Sequence, residues 1–178
     1  MVTKKCSMSV KIIVINVFIL ICVFSGSCIF RDRVLSEYVE ENKSFSIKIK
    51  TISPGQALGP GGWFRYEVLS KKPAGNWEEV FVEEHDDRFE PNSDNILILS
   101  SSEAFIFVIN KYAVTIDQGQ TWETFNLDDL GSLSEPSCGI DQVLLRKDGS
   151  GEMRLKCSGS RLITKNFGRS WKRQKGSF

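Results

Sequence analysis

The 178-residue chain has a single histidine, and it stands among acids: Glu83-Glu84-His85-Asp86-Asp87. An imidazole flanked by carboxylates could hold a cation or trade a proton. Any Ser-His-Asp or Cys-His chemistry would have to pass through His85, and no Gly-x-Ser-x-Gly or comparable nucleophile signature accompanies it. A run of like charge is more commonly a solvated loop. The sequence therefore predicts no enzyme, no catalytic residue, no metal and no cofactor. It leaves Glu83, Glu84, Asp86 and Asp87 as candidate contacts that could steer a basic partner surface. Trp63, Phe64 and Tyr66, after Gly61-Gly62, could reach a partner from a loop, although aromatics in a strand pattern more commonly pack inward.

The first 27 residues carry the marks of an export signal. Lys4, Lys5 and Lys11 give a basic start, and Ile12 to Phe24 is an apolar run of 13 residues, too short to span a bilayer. Ser25-Gly26-Ser27 then supplies small residues before Cys28. An ordinary signal peptidase accepts such residues. Ser25-Gly26-Ser27-Cys28 also resembles a bacterial lipobox, with Ser25 where Leu is usual, and that pathway cuts before the cysteine and acylates it. Ile29, rather than Asp, then favours the outer membrane. The expected layout is a signal over 1–27, a lipid-anchored tether over 28–43 and a single β domain over 44–178. Removing the signal takes away three lysines and leaves 20 basic and 22 acidic side chains, a balance that argues against nucleic acid as a partner. Cys6 and Cys22 leave with the signal, and Cys138 and Cys157 remain. Two cysteines in an oxidising compartment read as one disulfide, worth about 3 kcal/mol on the chain-entropy view; two buried thiols are the alternative.

Two stretches repeat one another. Thr115-Ile116-Asp117-Gln118-Gly119-Gln120-Thr121-Trp122 reads T-x-D-x-G-x-T-W, and Thr164-Lys165-Asn166-Phe167-Gly168-Arg169-Ser170-Trp171 reads T-x-N-x-G-x-S-W. Asp or Asn can bond the backbone two residues on and Gly supplies a positive φ, so each centre predicts a tight hairpin turn. A degenerate copy runs from Ser70 to Trp77, with Lys72 in the acidic place. The spacing of the three tryptophans is that of a propeller blade.

The remaining elements are short strands. Phe45, Ile47, Ile49 and Thr51 alternate with polar residues. Strand patterns follow over 63–69 and 77–82, and then twice in fours: 95–99, 104–109, 112–116 and 121–125, and 140–146, 153–157, 161–163 and 171–172. Val34, Leu35, Tyr38 and Val39 are spaced as in a short helix or tether. The expected fold is all-β: a small propeller-like or β-sandwich arrangement of three blade-like antiparallel units with hairpin boxes, since three blades fall short of the usual minimum of four.

The repeated pattern resembles the Asp-box, or BNR repeat, of sialidases and other β-propeller proteins. The resemblance implies that Thr115, Asp117, Gly119, Thr121 and Trp122 form one structural box and Thr164, Asn166, Gly168, Ser170 and Trp171 a second, each tryptophan buried on its own hairpin. It does not imply sialidase activity, which needs six blades and a central arginine cluster. In overall layout the chain is similar to the immunity lipoproteins that protect bacteria from type VI secretion phospholipase effectors. That resemblance implies a periplasmic, membrane-anchored protein that neutralises a toxin by protein–protein contact. An assembly or stability factor for a membrane complex and a carbohydrate-binding module are the alternatives.

Overall fold

Ala104-Phe105-Ile106-Phe107-Val108 is apolar at every position, the pattern of a strand covered on both faces. In the computed structural model, which describes residues 32–53, 63–133 and 139–174, that segment is buried throughout and lies inside the middle sheet of three. The strands are β1 (Arg33–Glu41), β2 (Ser46–Ser53), β3 (Phe64–Lys71), β4 (Glu78–His85), β5 (Ile96–Ile98), β6 (Ala104–Val108), β7 (Lys111–Thr115), β8 (Glu123–Asn126), β9 (Ile140–Leu145), β10 (Gly151–Leu155), β11 (Arg161–Thr164) and β12 (Lys172–Arg173). Three antiparallel four-stranded sheets result, β1 to β4, β5 to β8 and β9 to β12, each joined in chain order. The fold is all-β as expected, a propeller-like or sandwich arrangement of three blade-like units with no closed barrel.

Strand alternation divides the middle sheet between two cores. Ala104, Ile106, Val108 and Ala113 join Phe45, Ile47, Ile49, Tyr66 and Val68 of the first sheet. Phe105, Phe107, Tyr112 and Val114 join Val143, Met153, Leu155 and Leu162 of the third. Each fully buried large side chain contributes about 1.5–3 kcal/mol of transfer free energy. Among the described residues, the middle sheet covers the first and third sheets on one face each.

Two expectations change. The segment with helix-like spacing is the edge strand β1, so the first unit has four strands and begins before residue 44. Its pairing with β2 slips between Val34 and Ser36; that bulge, together with the exposed valines Val34 and Val39, imitates the spacing of a helix. The acidic run is not all loop either, because Glu83 and Glu84 lie within β4. Among the described residues no helix is long and apolar enough to cross a membrane.

Candidate interaction site and the box latches

The two boxes share one bonding scheme. In the first, the Thr115 hydroxyl donates to Asp117 Oδ1 at 2.9 Å and accepts from Gly119 N–H at 3.1 Å. Asp117 accepts from Thr121 N–H at 3.0 Å and from the Thr121 hydroxyl at 2.6 Å. In the second, Thr164 donates to Asn166 Oδ1 at 2.9 Å and accepts from Gly168 N–H at 3.1 Å, while Asn166 Oδ1 accepts from Ser170 N–H at 3.0 Å. Gln118 and Gly119, like Phe167 and Gly168, are consecutive left-handed residues, the backbone hand that suits a hairpin between twisted strands. Burial alone would raise the Asp117 pKa, but hydrogen bonds from Thr121 and Thr115 outweigh it and hold the carboxyl below the usual range.

The tryptophans reach beyond their own hairpins, although the Trp171 ring also lies over its own Gly168, where a Cβ would stand 3.1 Å from it. Each reaches the preceding sheet. Trp122 stands edge-on to Phe45 of the first unit, centroids 6.3 Å apart at 88°, and its indole N–H donates to Ser70 Oγ at 3.1 Å. Trp171 meets Phe105 of the middle sheet at 6.3 Å and 83°, and Tyr112 at 6.4 Å and 86°. The box glycines sit on the same two rings: a Cβ on Gly119 would lie 3.2 Å from Phe45, and one on Gly168 would lie 2.6 Å from Phe105. The box is thus a latch between units, used twice with nearly one geometry. Trp171 is 4% exposed, whereas Trp122 is only half-buried. Burial pushes the Tyr112 phenol up to about 12, partly offset by the neighbouring Trp171 indole; neither polar atom reaches a hydrogen bond of good geometry.

The degenerate copy is not a third box. Ser70 turns to the second unit to accept from Trp122, and the tight turn is closed by Gly75 N–H donating to the Lys72 carbonyl. Among the described residues no sheet precedes that of Trp77, whose ring lies under Lys48 and Lys71 of its own sheet, at 4.5 and 4.9 Å.

The acidic run divides. Glu83 is buried and pairs with Lys111 at 3.2 Å, and the Lys111 ammonium also donates to the Val82 carbonyl at 2.7 Å. Burial raises the Glu83 pKa against the opposing pull of Lys111. Glu83 therefore ties the first sheet to the second and does not face a partner. Glu84, Asp86 and Asp87 are exposed. The corner carrying the two aspartates is fixed from beneath: the buried Tyr66 hydroxyl donates to the Asp87 carbonyl at 2.7 Å and accepts from Phe89 N–H at 2.8 Å, and Asp87 N–H donates to His85 Nδ1 at 3.0 Å. Sequence reasoning missed the Tyr66 peg, since nothing local ties residue 66 to residue 87. His85, Asp86 and Asp87 bring possible ligand atoms within 4.8 Å of one another, a spacing common among exposed acids. Of the aromatics weighed for partner contact, Tyr66 is core, Phe64 is half-buried and Trp63 is 59% exposed.

Cys28 and Cys138 lie outside the described residues, as does the segment 1–27 expected to be an export signal, and Cys157 is exposed. No family model, no curated protein and no solved structure matches this chain.

Proposed function

We propose that this chain is an exported, lipid-anchored binding protein that neutralises an antibacterial toxin of phospholipase type by direct contact. The observation that carries the reading is the acidic corner Asp86-Asp87, exposed to solvent yet pinned by a buried tyrosine and an imidazole. A charged surface that is already ordered loses little entropy on binding and speeds encounter with a basic partner. Glu84 extends the corner along β4. The N-terminal sequence ending in Ser25-Gly26-Ser27-Cys28 supports a membrane tether, which raises the inhibitor's effective concentration where such a toxin acts.

The test is protection of toxin-exposed cells by the full chain, alongside pull-down of a phospholipase encoded beside it. Asp86→Lys with Asp87→Lys should slow association about tenfold or more at low salt and leave folding intact. Absence of any complex with the neighbouring toxin, together with no protection, ends this reading.

A further inference from the structure

The latch used twice inside the chain leaves one unused half at each end of the stack. The outward face of the third sheet carries Leu144, 59% exposed, and Ile163, 37% exposed, one on each side of Glu152. Glu152 is the second residue of β10, opposite the residue before the box Thr164. Phe105, the seat of Trp171, occupies that same place in β6, opposite the residue before Thr115. Glu152 thus stands where the next unit would dock.

The outward face of the first sheet is its complement. Lys48 lies between Val39 of β1 and Leu69 of β3, so an aliphatic–cation–aliphatic row answers the aliphatic–anion–aliphatic row Leu144, Glu152, Ile163. Two residues along each second strand the central residues are both cations, and only the flanking residues are complementary, acidic on the first sheet and neutral or basic on the third. Lys50 lies between Glu37 and Glu67, while Arg154 lies between Gln142 and Arg161. Trp77, the counterpart of Trp122 and Trp171, is on this face, with no earlier sheet among the described residues to meet.

We propose that a second copy of this chain docks head to tail, its first sheet on the third sheet of its partner, and that the reciprocal contact closes the pair. Two copies bring together six four-stranded sheets, within the range that closes as a propeller. The contact is heterologous, so it must close or propagate. It extends the stacking already present between the sheets of one chain, and it does not depend on the toxin reading.

The test uses the full-length processed chain in mild detergent. Native mass spectrometry should show two copies. With Cys138 and Cys157 replaced by Ser, Val39→Cys and Leu144→Cys variants, both at exposed positions, should form an intermolecular disulfide when mixed, while neither does so alone. Glu152→Lys should weaken association about tenfold or more, and Lys48→Glu in the same chain should restore it. A monomer at high concentration, a cross-link formed within either single variant, or a ladder of higher oligomers would each overturn the closed head-to-tail pair.

Discussion

The two latches are built from the same parts but are closed differently. At the first, the half-buried Trp122 meets one ring and gives its indole N–H to Ser70. At the second, the buried Trp171 meets Phe105 and Tyr112 but makes no good hydrogen bond. The first joint holds two sheets that share further stitches, the Lys111–Glu83 pair among them. The second holds a sheet whose last strand is two residues long. The smaller unit thus relies on the larger apolar contact. Burial outweighs a single net hydrogen bond, which is worth about 1 kcal/mol.

The sharpest way to break the comparison is to truncate both tryptophans. Trp171→Ala should cost about 3–5 kcal/mol and Trp122→Ala about 1–2 kcal/mol, read as shifts in urea midpoint. Equal losses would show that the two joints are energetically alike. Loss of the third sheet alone, with the first two retained, would appear as a lower m-value for Trp171→Ala.

The glycines grade the same contrast. Gly168 has φ +86° and its Cβ would lie 2.6 Å from Phe105, whereas Gly119 has φ +71° and its Cβ would keep 3.2 Å from Phe45. Gly168→Ala should cost about 2–3 kcal/mol and Gly119→Ala about 1 kcal/mol in the same denaturation series. A reversed order would mean that the aromatic seats, rather than the turns, adjust.

Much of this was readable in the chain before any coordinates. The two boxes, the strand fours and the doubly covered run Ala104–Val108 follow from turn chemistry and periodicity, which are local. What a tryptophan packs against is not local. Alternation says that Trp122 and Trp171 share a face with their neighbours, but not which sheet covers that face. β1 is obscured because its bulge shifts the phase at Val34 and Leu35 and because Val39, beside Tyr38, which packs against the core, is an exposed apolar side chain. The charge run hides Glu83 among its exposed neighbours, although strand alternation continued from Phe81 through Glu83 turns it inward. Its partner, Lys111, is 28 residues away and on another sheet.

That ion pair gives the next smaller effect and belongs to the first joint alone. Lys111→Met leaves the Glu83 carboxylate buried without its cation, at a cost of about 1–3 kcal/mol near neutral pH. Because the folded-state pKa of Glu83 is already raised, its ionised form opposes folding. This penalty grows as pH rises from the unfolded carboxylate range through the folded pKa. Lys111→Met should therefore be least harmful in mild acid, and thermal melts across that range would show it. A penalty independent of pH would mean that the loss is one of packing.

The smallest effect separates the boxes by the charge at their second constrained position, Asp117 against Asn166. Asn166 accepts the Ser170 N–H with its amide oxygen as Asp117 accepts the Thr121 N–H with its carboxylate, and its amide N–H donates to the Ser170 hydroxyl where Asp117 accepts from the Thr121 hydroxyl, so Asp117→Asn should lower stability by less than about 1 kcal/mol at neutral pH. The charge matters only in acid. Asp117 has a depressed folded-state pKa, so its contribution is present above the unfolded value and is lost as pH falls through the folded one. The wild type should lose that increment on acidification while Asp117→Asn, which has no carboxyl to protonate, should not. The two melting curves should therefore converge towards low pH. Parallel curves would place the acid sensitivity elsewhere and leave the first box as indifferent to charge as the second.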